Sequence, residues 1–493
     1  LSLCMVMASP SVLDPDALPP ALDREGQAGK VRQHFVGPHP TSKALCLTME
    51  LWPRLPARTV LFQKEASGVT YRIPALVFLP WSSCFLAFCE ERLSPADSHA
   101  HLLVLRKGTF YKNYVEWEDM RVLSTASLPG YRSMNPCPVY DAFTGTLFLF
   151  FIAVLGHTSE AHQLATGNNV TKLCCVSSND HGETWSPVTD LTHKAIGDTI
   201  KEWATFALGP GHGIQLKSGR LLVPAYAYHI DCRNCFGKLC KTTAHSFCFR
   251  SDTHGRDWNL GRAVPSPECV ECQLVSVDEE ERASVLYCNA RSALGYRVQA
   301  LSFDGGATFE VGQLVPKLAE TRYGCHGSMV SFPAPLPLPR SAPPHPRWET
   351  ATVHTPPAAS AASKTDLPTP TWVVYGHPTW QDARRDLGLH LSVRPRDPDS
   401  WTKPWVIYEG PSAYSDLACV EVQTAGAPPI TAFACLFENG RKTAYEEISF
   451  CMFTLYDVMN NVRHSKGQSE GSLGAQKQKQ RKRRRRFEFC RVC

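Results

Sequence analysis

An eight-residue pattern recurs in this chain and narrows the fold before anything else does. Ser178–Trp185 reads SNDHGETW, of the form S-x-D-x-G-x-T-W. Ser302–Phe309, SFDGGATF, repeats it with Phe in the last place. Ser251–Trp258, SDTHGRDW, is a degraded copy with Thr253 and Asp257 in the Asp and Thr places. Each copy follows a strand-like run, and its residue types suit a hairpin turn. Asp bonds its own backbone, Gly takes a positive φ, and the aromatic packs inward. A ligand site is the less economical reading; a structural staple at the rim of a repeated sheet accounts for the same residues.

The rest of the chain agrees. Short apolar and β-branched runs alternate with turn signals: FLAFCEER, HLLVLRKG, LFLFFIAVLG, RLLVPAYAY, SVLYCNARS, TWVVYGHP, TAFACLFE and EISFCMFTLY. Helical periods are scarce. Many short, evenly spaced strands predict an all-β sandwich, barrel or propeller, and the repeated turn selects a propeller with one four-stranded blade per copy. With 493 residues, 43% of them apolar, a large core is within reach. Residues 1–56 are rich in Pro, Ala and Ser and read as a low-order extension. Residues 57–457 are the expected propeller, with a Pro-rich insertion loop at 333–370. Residues 458–493 read as a polar, then basic tail without a core pattern.

Charge excludes one class of partner. The net charge of +5 rests on Lys477–Arg486, KQKQRKRRRR; without it the remainder is slightly acidic. The folded part is therefore not a nucleic-acid binder. No run approaches the ~18 apolar residues of a membrane span, and Leu1–Ala8 lacks the charged n-region of a secretory signal. The 20 cysteines are scattered, several in apolar runs. They are expected to be buried, reduced thiols of an intracellular protein, which leaves the sequon at Asn169 unused. Cys232-x-x-Cys235 with Cys240, and Cys269-x-x-Cys272, have knuckle spacing. The second pair lies in a strand-like context without turn residues, so free thiols are favoured over zinc. No metal and no cofactor are expected.

The stretch VTYRIPALVFL places Arg72 inside a buried strand, where an arginine needs an anionic partner. Arg291 in CNARS and Arg384 in WQDARRDLG have similar settings, although Arg385 competes because alternation points one of the two inward. Planar guanidinium forks match a carboxylate. YRIP followed by the degenerate Asp-box turns resembles the sialidase (exo-α-neuraminidase) family. RSMNPCPVYD, WATFALGPGHG, LLVPAYAY, NARS, YSDLA and YEEISF resemble its mammalian type. The resemblance spans residues 57 to about 457 and implies a six-bladed β-propeller with the active site at the centre of one face.

It also implies roles, position by position. Arg72, Arg291 and Arg384 would hold the sialic acid carboxylate. That carboxylate would repel an anionic nucleophile, and the family uses a tyrosine, matched here by Tyr414. Glu271 in ECQL matches the base that activates it, with Glu268 as a near-duplicate competitor. Asp97 in RLSPADSHA matches the general acid/base, though by itself it reads as a solvated turn aspartate. Arg92 resembles a further cation near the carboxylate, Glu90 a partner to the site, and Glu438 the acid that orients Arg72. Met134, Asn135, Tyr226 and Tyr228 resemble contacts to the N-acetyl and glycerol arms, and Glu160 a further polar contact. The chain departs from the family at His326, where Gln is usual in GCQGS; if that position touches the pocket, the pH profile shifts.

The resemblance implies a retaining exo-sialidase acting on sialylated glycolipids such as gangliosides, on glycoproteins and on oligosaccharides. A sialic-acid-binding propeller without turnover would keep the arginines and lose Tyr414, Glu271 or Asp97. A propeller that binds only protein partners has no use for carboxylate-matched arginines. The polybasic run adds an expectation of peripheral membrane association, at about 1 kcal/mol per charge near anionic lipid. The expected compartment is the cytoplasm and membrane surfaces, with the lysosome as a further candidate.

Overall fold

The computed structural model describes residues 55–462, apart from 112, 234–239, 278–284, 336–369 and 425–426. Most of the N-terminal extension and of the Pro-rich insertion, and the basic run, lie outside the described residues.

The predicted strand runs form antiparallel sheets whose strands mostly follow chain order. The first sheet contains Thr70–Leu79, Cys84–Arg92, Ala100–Tyr111 and Tyr114–Trp117. The second contains Tyr131–Asp141, Thr146–Leu155, Thr171–Ser178 and Thr189–Asp190. The third is built on Trp203–Leu208, Leu221–Arg233 and Cys240–Ser251, and the fourth on Cys272–Val277, Val285–Ala290, Tyr296–Ser302 and Gln313–Ala319. A last, seven-stranded sheet runs from Ser328–Pro333 through the 20-residue strand Trp405–Thr424 to Glu447–Thr454. The seventh strand, at the far edge beyond Glu447–Thr454, is the N-terminal Thr59–Gln63, so the two ends of the folded region are joined by a ladder of hydrogen bonds. The arrangement is all-β and propeller-like.

The repeated turn works as its residue types predict. In the first copy Ser178 Oγ accepts from Gly182 N at 2.9 Å, and Asp180 Oδ1 accepts from Thr184 N at 2.9 Å. In the third, Ser302 Oγ and Asp304 Oδ1 make the same bonds to Gly306 N and Thr308 N. In the degraded copy Thr253 Oγ1 takes over from the missing carboxylate and accepts from Asp257 N at 2.8 Å. Gly182, Gly255 and Gly306 have φ of 85°, 82° and 87°, which a residue with a Cβ adopts at a cost. The aromatic of each turn reaches the preceding sheet. Trp185 meets Phe88 edge-on, Trp258 packs on Phe148 and Phe150, and Phe309 enters the cluster with Leu222 and Cys248. Each turn thus pins one sheet to its neighbour through apolar burial worth roughly 1.5–3 kcal/mol per aromatic.

Most of the described cysteines are buried, and none is in a disulfide. Among the described residues no cluster of His, Cys, Asp and Glu suits a metal ion, and no helix is long and apolar enough to cross a membrane. Cys232 and Cys240 lie at the surface; Cys235 is outside the described residues. One boundary moves. Residues 455–462 are helical, and Leu455, Val458 and Val462 are buried against Phe433 and Phe453. The core therefore continues past 457, because the short spacing of those three side chains puts them on one helix face.

Candidate active site

The strands that carry the candidate residues share a local irregularity. Pairing slips between Arg72 and Ala75, between Met134 and Cys137, between Ser412 and Ser415, and between Arg385 and Leu387. Bulges of this kind re-aim a side chain out of the regular pleat. Two of them precede proline and hold a residue at positive φ: Ile73 at 61° and Asn135 at 55°. For a β-branched residue such as Ile73 this is a strained backbone, on the order of 1–3 kcal/mol.

A buried glutamate holds each kink. Glu438 Oε1 accepts from Ile73 N at 2.8 Å and from Arg72 Nε at 2.7 Å, while its other oxygen accepts from Tyr414 N at 3.1 Å. Glu90 Oε1 accepts from Asn135 N at 2.7 Å, and its other oxygen accepts from Arg92 Nε at 2.7 Å. In both cases one carboxylate anchors a strained amide and a guanidinium together. The sequence reading of Glu438 as the orienting acid matches this contact, and Glu90 does the equivalent for Arg92.

These elements enclose a cavity of about 370 Å³, in the range of small-molecule sites. Its wall contains Arg72, Arg92, Asp97, Met134, Asn135, Glu160, Tyr226, Tyr228, Glu271, Arg291, Arg384 and Tyr414. Every proposed catalytic and substrate-contacting position is therefore in one place.

Tyr414 is the hub. Its hydroxyl donates to Glu271, and Arg291 Nη1 lies 3.3 Å from the same phenol oxygen and 2.8 Å from Glu271 Oε2. The Arg72 and Arg384 guanidinium carbons lie 5.8 and 5.4 Å from the Tyr414 ring centre. Three cations thus border one phenol. Burial and the charge of Glu271 push the Tyr414 phenol well above its ordinary value, against Arg291 and Arg384. Burial pushes Glu271 up most strongly, but Arg291, His326 and the Tyr414 hydrogen bond together outweigh it and hold the carboxyl below its ordinary value. The resting pair is a neutral phenol donating to a carboxylate. Glu268, the competitor, is exposed and lies against Ala244 N at 3.4 Å. Arg385 points away, over the exposed Trp380.

Asp97 sits on the loop after Cys84–Arg92 in the cavity wall, and it pairs with Arg92. Withdrawal from water pushes its carboxyl up, but Arg92, then Arg72 and Arg384, hold it below the ordinary value. Glu160 opens the short helix Glu160–Thr166, capped by Ser159. Withdrawal from water, with the charges of Asp97 and Glu271, pushes it up to about 7.

Among the cavity residues that were not foreseen, Tyr445 and Arg132 contact the site's charges or its frame. Tyr445 stacks under Arg72 at 3.8 Å and lies 3.3 Å from Arg384 Nη1; it stands in the YEEISF stretch, but nothing in its spacing marks it. Arg132 spans the wall by donating to the Gly156 and Thr158 carbonyls. Its neighbourhood to Met134 and Asn135 is the only sequence signal.

Comparison with known proteins agrees with this geometry. A model of the BNR repeat-like domain family matches residues 85–424. Human Sialidase-4 is 50% identical over 464 residues, covering 83% of this chain and 95% of the relative. Mouse Sialidase-2 is 45% identical over 410 residues, covering 82% and 98%. The solved Hadza microbial sialidase Hz136 shares the fold at a TM-score of 0.57 and 20% identity, over 79% of this chain and 66% of that one. The chain belongs to the sialidase family.

Proposed function

We propose that the chain is a retaining exo-α-sialidase that removes terminal sialic acids through a tyrosyl-enzyme intermediate. The observation that carries this reading is the Tyr414–Glu271 hydrogen bond bordered by Arg72, Arg291 and Arg384.

The substrate carboxylate docks on the three guanidinium groups, each charged hydrogen bond contributing about 1.5–3 kcal/mol. Glu271 accepts the phenol proton as the Tyr414 oxygen attacks the anomeric carbon, and the glycosidic bond breaks. Asp97 gives its proton to the departing oxygen. Docking supplies that proton's affinity: the substrate's negative charge offsets Arg72 and Arg384, two of the cations that hold Asp97 ionised beforehand. Asp97 then takes a proton from water, which attacks the same carbon, and Glu271 returns its proton to the released phenolate. Two inversions leave the configuration retained.

Met134, Asn135, Tyr226, Tyr228 and Glu160 form the wall that receives the N-acetyl and glycerol arms, with Arg92 poised beside Asp97. The seven-stranded sheet reads as two blades joined through Trp405–Thr424, making six in all. The substrate class is sialylated glycolipids, glycoproteins and oligosaccharides. The basic run 477–486 would hold the protein peripherally on anionic membranes, and an intracellular site at the cytoplasm and membrane surface follows from that reading.

The test is release of sialic acid from a fluorogenic sialoside, with the anomer first formed identified by NMR. Turnover giving the α-anomer is expected, with Tyr414→Phe reducing it at least a thousand-fold. Tight binding of free sialic acid without turnover would overturn the enzyme reading in favour of a lectin. A β-anomer would overturn retention.

A further inference from the structure

His326 packs against the Tyr414 ring and is not among the residues of the cavity wall. It precedes the strand Ser328–Pro333 and is 0% exposed. Its ring centre is 5.4 Å from that of Tyr414, at 46°. Both ring nitrogens are shielded from solvent and neither has a hydrogen-bond partner among the described residues. A fully buried, unpartnered imidazole is costly, and such a group calls for an explanation.

Its surroundings explain it as a charge site and not as a packing residue. Glu271 and Tyr414 face it from the cavity side, Arg297 from Tyr296–Ser302, Asp416 from Trp405–Thr424, and His377 from Thr371–Pro378. Tyr375 packs against the adjoining Gly327. The other charged groups are already engaged. Arg297 donates to Asn289 and Glu320, and His377 pairs with Glu320 at 3.1 Å. Asp416 accepts from Leu76 N, Ser328 Oγ and Leu417 N and lies 2.7 Å from His212 Nδ1. Glu271 is the first of the facing charges to favour a proton on His326, and it is the base of the proposed reaction.

We propose that His326 is a positioning residue for that reaction: as pH falls it takes up a proton, and the resulting imidazolium keeps Glu271 ionised against Tyr414, extending turnover into acid. The inference rests on the assignment of Tyr414 and Glu271 as nucleophile and base. Burial pushes His326 down to about 4, with Glu271 opposing. The ring is therefore neutral near pH 7 and gains its charge as pH falls toward 4, the acid range in which carboxylates ordinarily take up protons. A cation within one side chain of a carboxylate depresses it by about one unit or more.

The test is kcat/KM on a fluorogenic sialoside from pH 3 to 8 for the wild type and His326→Gln, which keeps polarity and loses the titration. The expected result is an acid limb displaced upward by about one pH unit, so that the variant-to-wild-type ratio falls from near one at neutral pH toward about a tenth at the acid end of the profile. An unmoved limb, or a loss equal at every pH as a purely structural role gives, would overturn the proposal. Wild-type protein inactive at every pH would instead defeat the sialidase assignment on which it rests. Should His326→Gln not fold, ring-carbon NMR of histidine-labelled wild type decides. A His326 signal titrating between pH 6 and 3, with its midpoint lowered by Glu271→Gln, supports the proposal; a signal unmoved down to pH 3 overturns it.

Discussion

Replacing Glu438 by glutamine tests how the site is held together. The carboxylate is fully buried and serves Arg72 Nε, Ile73 N and Tyr414 N. Glutamine can keep its oxygen toward Arg72 and Ile73, but its amide then presents N–H to the Tyr414 N–H. Two losses result: a charge-assisted bond to a buried guanidinium, about 1.5–3 kcal/mol, and an orphaned backbone donor, about 1–3 kcal/mol. Breaking a buried ion pair costs about 3–5 kcal/mol in comparable cases, so ~4 kcal/mol is the expectation. At ~2.1 cal/mol/K per residue over the roughly 360 described residues, the unfolding entropy is about 0.8 kcal/mol/K, and the Tm falls by about 5 °C. Activity falls too, because Arg72 loses its anchor and Ile73 the bond that holds its positive φ. One weakened carboxylate contact corresponds to a ten- to hundred-fold loss in kcat/KM. Calorimetry and steady-state kinetics on the same preparation measure both. A Tm within 1 °C of wild type together with kcat/KM within twofold would refute the claim that one carboxylate secures strand kink, cation and nucleophile.

Three further expectations follow from other parts of the molecule. Gly324 has φ 74°, and a Cβ there would lie 2.6 Å from Arg291 Nε; Gly324→Ala should raise KM about tenfold by displacing that guanidinium, and an unchanged KM would show that Arg291 does not bind substrate. Burial pushes Glu320 up, but Arg297 and His377 outweigh it and hold it at about 2 against an ordinary 4.5. A depressed carboxylate contributes stability above its unfolded value and loses it as pH falls from about 4.5 toward 2. Denaturant unfolding should therefore lose ~3 kcal/mol across that window in the wild type and markedly less in Glu320→Gln; equal slopes would contradict the assignment. Removing residues 466–493 should leave turnover of a soluble sialoside intact and weaken sedimentation with anionic vesicles. A large loss of turnover would give the segment a part in the fold.

Much of the molecule was legible in the residues. The recurring turn carries its own mechanism, since Asp, Gly and Thr at fixed offsets bond one another locally, and even the degraded copy substitutes one oxygen for another. The alternating apolar runs mark strands for the same local reason. Arg72 was conspicuous because a cation in an apolar strand demands an anion. Its partner was foreseen through family likeness, since Glu438 lies 366 residues away and no spacing rule connects them.

What stayed hidden depended on direction in space. Glu268 and Glu271 are equivalent as letters, as are Arg384 and Arg385; which of each pair faces the cavity is set by where the following strand begins, at Cys272, and where a bulge slips the pleat between Arg385 and Leu387. Tyr445 and Arg132 acquire their places only when distant strands converge. His326 was visible as an unusual letter, but its unpartnered burial against Tyr414 exists only in the packed core. Local chemistry along the chain thus determined the turns, the strands and the kinds of charge available. The tertiary structure decided which of those charges meet, because alternation, bulges and burial act across sheets that adjoin in space and not in sequence.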